Sequence, residues 1–390
     1  MDKRLKILFV SKWFPHREIP FSGVFVLRHA KAVARFSSVY ILDARPLKKV
    51  SGLIEKNKKV EDGVVILQYY YPKRLTGISF LDKPLKLLLY YICMLRGYRT
   101  LSRQYGKPDL THVHILLRTG IFALLLKTFA NVKYIITEHW SGYLPESRLF
   151  KGALRVSITK YIATKASWVT AVSEKLKSGM IQSGISHQRF SVVPNVIDTE
   201  VFKVTPPKAS TPPTIIFIAD LIDEVKNISG AIRAVSEARK INPNFQLHIY
   251  GEGKDRKKLE ELIDQLQLNS CVFLKGEVSP SELSCALSEA AFLLLFSNFE
   301  TFSCVIAEAF AAGKPVIATN TGAIPELVKP EYGIMVEKGN IFQLSEAIIT
   351  MLKDYPKYNS EKLRSFSVNN FSYEKVGQAF VKIYEHSVKS

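Results

Sequence analysis

The sequence predicts an α/β protein of two halves, each built around a parallel β-sheet, and three observations predict it. Short apolar runs alternate with helix-length segments from Leu5 to Val193, the pattern of strand, crossover helix and parallel strand. A second series of the same kind runs from Thr214 to Val336. Between them, residues 203–213 hold four prolines in eleven positions and read as an extended linker. At 390 residues the chain is long enough for two domains with separate cores.

In the first series, strands are expected at Leu5–Val10, Val39–Leu42, Val64–Leu67, Leu110–Val113, Tyr134–Thr137, Trp168–Val172 and Ser191–Val193. After the first comes a loop, Ser11-Lys12-Trp13-Phe14-Pro15. Pro20-Phe21-Ser22-Gly23 then opens a helix whose apolar positions Val26, Leu27, Ala30, Val33 and Ala34 share one face. No Gly-x-Gly-x-x-Gly follows the first strand, which argues against a dehydrogenase. Residues 73–107 carry eight Lys and Arg around the apolar run Leu87–Leu95. Two readings fit: a basic amphipathic helix lying on anionic lipid, and a core helix with snorkelling cations. His112 and His114 lie on one face of a strand with no third ligand at metal spacing, and read as structural. His139 follows the next strand, so its loop faces the same crevice beyond the strand ends. Asn195 and Asp198 read as turn formers.

In the second series, strands are expected at Thr214–Ile218, Gln246–Tyr250, Cys271–Leu274, Phe292–Phe296, Pro315–Thr319 and Ile334–Val336. The most informative stretch is Phe292 to Glu326. An apolar strand ends at the turn Ser297-Asn298-Phe299-Glu300, an Ala-rich helix starts near Ser303, and Gly313 and Pro315 stop it. On one continuous helix Glu300 and Glu308 would stand ~80° apart and share no face. With Glu300 in the loop and Glu308 on the second helical turn, both border the helix N-terminus. Free N–H groups and the positive dipole end there favour a phosphate or diphosphate, and a neighbouring carboxylate suits the hydroxyls of a sugar. At the carboxyl end, Val376, Ala379, Phe380 and Ile383 mark the apolar face of a last helix.

Composition narrows the class further. Hydrophobic content of 47% with 23% charged residues describes a folded protein, not a disordered one. No run of about 18 apolar residues is present to span a bilayer, and the apolar run Ile7–Val10 is too short for a signal-peptide core. Cys93, Cys271, Cys285 and Cys304 show no metal or redox spacing, so a reducing cytoplasm is the expected home, and Cys304 reads as a buried core thiol. Residues 1–200 carry 33 Lys and Arg against 13 Asp and Glu, a net of +20, while the remainder sums to −1. The first half therefore expects an anionic partner: a membrane surface, a nucleic acid or a phosphorylated substrate. A nucleic-acid-binding protein is the alternative of another class, but no zinc finger, RNP-like aromatic strand or base-reading basic helix is visible.

Ser297, Glu300, Glu308, Ala311, Gly313, Pro315, Val316, Gly322, Pro325 and Glu326 stand in an order and spacing that resemble the retaining family-4 glycosyltransferases of GT-B fold. The resemblance is strong from Lys226 to Val336 and looser before it. It implies two Rossmann-like domains, with parallel sheets facing an interdomain cleft. Residues 1–202 would form the acceptor-side domain, residues 214–371 the nucleotide-sugar domain, and residues 372–390 a helix that packs back on the first. The implied reaction moves a sugar from a nucleoside diphosphate sugar to an acceptor hydroxyl with retention of configuration.

The resemblance also assigns roles. Glu308 would hold the ribose hydroxyls and Glu300 those of the donor sugar, with Thr301, Phe302, Ser303 and Cys304 assisting through backbone groups. Lys226 and Gly23 would meet the diphosphate, although Ser22 capping the helix ahead of a permissive glycine fits Gly23 equally. His139 would position donor or acceptor, against the alternative of an ordinary hydrogen-bonded loop histidine. Where the family has an arginine on the diphosphate, this chain has Asp220, and Lys226 comes one residue later than usual. No Asp-x-Asp cation motif is visible, so no metal and no cofactor are expected. The expected partners are a nucleotide-sugar donor, a glycan or lipid-linked acceptor and an anionic membrane surface. A peripheral place on the inner face of the membrane and a role in envelope or surface glycan synthesis would follow. Within the same fold, a sugar-nucleotide epimerase and a phosphorylase are the alternatives.

Overall fold

A computed structural model describes residues 4–147, 149–205 and 211–389. The chain packs into two compact units. The first holds the chain up to Val172, Leu176–Val196 and the segment from Tyr373, and the second holds Ser173–Lys175 and Ile197–Ser372.

The sheet of the first unit contains β1 (Lys6–Ser11), β2 (Ser38–Leu47), β3 (Glu55–Glu61), β4 (Val64–Pro72), β5 (Leu110–His114), β6 (Lys133–Glu138), β7 (Trp168–Ala171) and β8 (Phe190–Val192). Their order is β3-β4-β2-β1-β5-β6-β7-β8. Every pair is parallel except β3 with β4. This antiparallel edge departs from the all-parallel expectation. It forms because Asp62 and Gly63 both take positive φ, 47° and 77°, the two-residue turn that matches strand twist in a hairpin. Leu8 to Val10 are fully buried, as are Ile41, Leu42 and Ile66, so strands covered on both faces supply the core.

Helix Ser79–Tyr105 divides the two sequence readings between its halves. Tyr90, Cys93, Met94, Gly97 and Leu101 are buried, and a Cβ on Gly97 would meet the Leu42 side chain at 2.2 Å. The amino-terminal half instead exposes Phe80, Leu81, Leu85, Leu87 and Leu88. Helix Tyr373–Lys389 lays Val376, Phe380, Ile383 and Tyr384 into the core of the first unit against helix Val24–Ala34.

The second unit contains β9 (Thr214–Ile218), β10 (Gln246–Tyr250), β11 (Val272–Gly276), β12 (Phe292–Leu295), β13 (Val316–Thr319) and β14 (Gly333–Val336). The order is β11-β10-β9-β12-β13-β14, parallel throughout. Residues 206–210 of the expected linker lie outside the described residues. The chain enters the second unit earlier, at Ile197. Phe202 is buried there, and the Arg364 guanidinium donates to the carbonyls of Thr199, Phe202 and Ala311, which removes 197–205 from any free connection. Among the described residues, no helix is long and apolar enough to cross a membrane.

Candidate active site

Strand order reverses in the second unit where β9 lies between β10 and β12. In a parallel sheet that reversal opens a crevice beyond the carboxyl ends of the two strands. The loops after β9 and β12 meet there, and they carry Lys226 and Glu300. Lys226 Nζ donates to Glu300 Oε1 at 2.5 Å, and Ser297 Oγ donates to the same oxygen at 3.1 Å. Glu300 is buried, and the Lys226 side chain keeps 21% of its exposure. The pair is thus a charge-assisted contact at the edge of water.

Three further residues hold the two loops in place. Asn298 ties one to the other: its N–H donates to the Val225 carbonyl at 2.8 Å and its Nδ2 to that of Glu224 at 3.0 Å. Asp223 accepts from the N–H and Oγ of Ser229, both at 2.8 Å, and from Lys258 Nζ at 2.9 Å. Its burial raises the carboxyl, but these donors outweigh that and hold it below the usual range. Gly322 has φ 55°, and a Cβ there would sit 1.9 Å from the Glu300 carbonyl, so the loop after β13 rests directly on the Glu300 backbone. Asp223 and Asn298 escaped sequence reasoning, although an Asx residue in each loop was a visible turn signal.

Helix Cys304–Ala311 begins at Ser303 without a side-chain cap. Ser303 Oγ is buried with no hydrogen-bond partner, so the helix start keeps donors for an anion. Glu300 stands in the turn ahead of this helix and Glu308, buried, on its second turn. Thr301 is half-buried, while Phe302 is buried with its ring centroid 5.4 Å from that of Phe371. Cys304 is half-buried instead of the fully buried thiol expected, because it is the first residue of the helix. Asp220 is exposed.

Gly23 and His139 belong to the first unit. Gly23 is the N-cap residue of helix Val24–Ala34, with φ 66° and no side-chain cap. A Cβ there would stand 2.4 Å from the Trp13 carbonyl oxygen. The alternative in which Ser22 caps this helix is therefore not realised.

His139 is buried, its ring tilted at 35° against Phe25 with centroids 4.4 Å apart, and its Nε2 lies 3.0 Å from His114 Nδ1. His29 and His112 complete a cluster of four histidine rings, these contacts tilted by 34–40°. His112 bonds Tyr384 Oη at 2.7 Å and Thr137 Oγ1 at 2.6 Å. Burial pushes His29 down to about 4 and the other three well below the ordinary histidine value. A third histidine thus does join His114, contrary to the sequence reading: among the described residues His29, His114 and His139 are the set whose ligand atoms lie within 4.8 Å of one another. Nitrogens sharing a tetrahedral zinc at ~2.0–2.1 Å stand ~3.4 Å apart, and His114 and His139 instead stack at 27° and share a hydrogen bond.

Each unit carries an α/β sheet, parallel throughout in the second and parallel but for the β3/β4 edge in the first, with a reversal of strand order, and solved structures of this fold are GT-B proteins. Sucrose-phosphate synthase from Thermosynechococcus elongatus superposes with a TM-score of 0.78 at 18% identity, covering 98% of each chain. Anabaena HepE in complex with UDP and glucose gives 0.74 at 16% identity, over 98% of this chain and 100% of that one. Residues 198–369 match the Glycosyl transferases group 1 family, and residues 62–201 match Glycosyltransferase Family 4. The chain belongs to these glycosyltransferases. Similar sequences include the MMP alpha-(1->4)-mannosyltransferase of Mycolicibacterium hassiacum, 26% identical over 75% of this chain and 74% of that protein. An uncharacterized glycosyltransferase of Methanocaldococcus jannaschii is 29% identical over 86% of this chain and 93% of that protein.

Proposed function

We propose that this glycosyltransferase moves a sugar from a nucleoside diphosphate sugar to an acceptor hydroxyl with retention of anomeric configuration, in making an envelope or surface glycan. The observation that carries the reading is the Lys226–Glu300 pair at the β9/β12 reversal, beside the uncapped start of helix Cys304–Ala311. Loss of the leaving group develops negative charge on a diphosphate. A cation and free helix N–H groups stabilise that charge without reorganising. On this reading Lys226, the Thr301–Cys304 backbone and Gly23 hold the diphosphate, Glu300 sorts the hydroxyls of the donor sugar, and Glu308 takes the ribose. His139 positions the reactants from beneath the crevice of the first unit. Charge neutralisation by the protein leaves no task that requires a metal. Solved neighbours holding UDP and UDP-glucose support a nucleotide-sugar donor. Retention is read as same-face attack, with the leaving phosphate accepting the acceptor proton, so no residue serves as nucleophile.

We place the enzyme on the cytoplasmic face of a membrane. Phe80, Leu81, Leu85, Leu87 and Leu88 are exposed on helix Ser79–Tyr105, and the cations Lys73, Arg74 and Lys83 are exposed beside them. Apolar wedges ringed by cations suit anionic lipid, and a lipid-linked acceptor would be met there.

Calorimetric titration with UDP and GDP tests the site. One of the two is expected to bind, and Lys226→Ala and Glu308→Ala are each expected to weaken it at least about tenfold, the loss of one charged hydrogen bond. Unchanged affinity in both variants would remove the assignment.

A further inference from the structure

The first unit has its own reversal of strand order, where β1 lies between β2 and β5. The loops after β1, β5 and β6 and helix Ala153–Lys165 enclose a cavity of about 250 Å³ there, with Lys12, Ile115, Glu138, Trp140, Tyr143 and Arg155 on its wall. Its charge is unbalanced. Lys12 and Arg155 line it, and Arg118 lies close by in the first turn of helix Leu116–Ala130. None of the three forms a salt bridge among the described residues. Partial burial, then Arg118 and Arg155, push the Lys12 ammonium below the usual lysine range, with Glu138 opposing.

Glu138 adds one negative charge to the wall but makes no ion pair with them among the described residues; its oxygens accept from backbone N–H groups. Leu116 donates at 3.1 Å, His139 at 2.9 Å and Trp140 at 3.0 Å. The aromatic wall is fixed as well. The Arg155 guanidinium lies 4.5 Å from the Trp140 ring centroid, and a Cβ on Gly142 would stand 2.1 Å from the indole. Ile115, a β-branched residue at φ 66°, keeps a strained backbone at the rim. Two lining cations against one backbone-bound carboxylate, with a third cation nearby and a braced indole, describe a pocket with positive charge to spare and a flat apolar face.

We propose that this cavity receives the anionic group of the acceptor, the phosphate of a sugar phosphate or the carboxylate of an acidic sugar. Lys12 and Arg155 pair with the anion, Arg118 adds long-range attraction, and Trp140 packs against the sugar ring. The inference rests on the glycosyltransferase reading and narrows its acceptor from any hydroxyl to that of a negatively charged sugar.

Trp13, Trp140 and Trp168 are the three tryptophans and all lie in the first unit, so indole fluorescence reports this unit alone. With the full chain and saturating UDP, glucose 1-phosphate and glucuronate are the anionic probes and glucose the neutral one. At least one anion is expected to change the emission where glucose does not, and which one responds separates phosphate from carboxylate. Arg155→Gln and Lys12→Gln are each expected to raise its Kd about tenfold, while UDP isotherms stay unchanged. Lys12 lies in the loop after β1, outside any helix or strand, and keeps the test open should Arg155→Gln not fold. Equal responses to glucose and both anions, no response to any of them, or an unchanged Kd in the substituted chain, would overturn the proposal. Failure of the unsubstituted chain to bind any nucleoside diphosphate overturns the donor reading by itself, and the anion titrations still decide the pocket.

Discussion

Lowering the pH from about 7.5 to about 5 is expected to unfold the first unit, because its interior holds four histidines that burial keeps neutral. His29 is held down to about 4, and His112, His114 and His139 lie well below the ordinary value. In the unfolded chain the same side chains protonate near pH ~6.5. Below that pH the unfolded state binds more protons, so stability falls as pH falls, until the native pKa is passed. For His29 the window is ~2.5 pH units at ~1.4 kcal/mol each, or about 3 kcal/mol. At pH ~5 each histidine still neutral in the fold contributes a loss of ~2 kcal/mol, about 8 kcal/mol for four, comparable to the whole stability of a typical domain. Glu138 works the other way, since burial raises its carboxyl, but it is one group against four. Urea titrations followed by tryptophan fluorescence measure the first unit directly. Their midpoints are expected to fall steadily with pH. In His29→Gln the slope of stability against pH is expected to shrink by about one proton, ~1.4 kcal/mol per pH unit. A midpoint that stays constant from about pH 7.5 to about pH 5 would refute the reasoning.

Three further outcomes test the second unit and the surface. Asp223→Ala removes three donors' acceptor at the foot of the Lys226 loop and is expected to destabilise by about 1–3 kcal/mol in scanning calorimetry and to weaken nucleotide binding. Because its folded pKa is lowered, this contribution is present above the ordinary carboxyl pKa and lost as pH falls below it, so the gap between wild type and variant should close in acid. Gly322→Ala drives a methyl into the Glu300 carbonyl and is expected to cost about 1–3 kcal/mol and to lower nucleotide affinity, with binding unaltered as the contrary result. Vesicles rich in anionic lipid are expected to float the protein at low salt, and Phe80→Glu with Leu88→Glu to abolish flotation; sedimentation of both forms without lipid would dispose of the membrane reading.

Strand positions were legible where a run is covered on both faces, as at Phe292–Leu295, since such a run leaves few other folds for its apolar side chains. The edge strand β3 was not, because Glu55-Lys56-Asn57-Lys58-Lys59-Val60-Glu61 has no buried face. It is held by its backbone ladder to β4, and the signal that marks it is Asp62-Gly63, not hydrophobicity. β2 and β4 also run well past their apolar cores, to Leu47 and Pro72. There a buried network of Asp43, Arg45 at 2.5 Å and Gln68 at 3.1 Å interrupts the apolar run ahead of the buried Leu47 and Tyr69–Tyr71. Polar residues in a strand end are indistinguishable by pattern from a loop until their partners, 25 positions away, are known.

The same separation limits the sites. Glu300 and Glu308 were legible because one strand-turn-helix unit carries both, and local spacing decides which turn each occupies. Lys226 is 74 residues from Glu300, and only the reversal at β9 and β12 sets them on adjoining loops. The first unit repeats this logic with β1, β5 and β6, which gather Lys12, Glu138 and Trp140 around one cavity and bring His112, His114 and His139 into one buried cluster. Sequence reading could place each of these residues at a strand end but not foresee that neighbours in the histidine cluster would exclude charge while neighbours in the cavity would concentrate it. Burial decides the difference: a histidine without water gives up its proton, whereas a lysine or arginine at the rim keeps its charge and is left seeking a counter-ion.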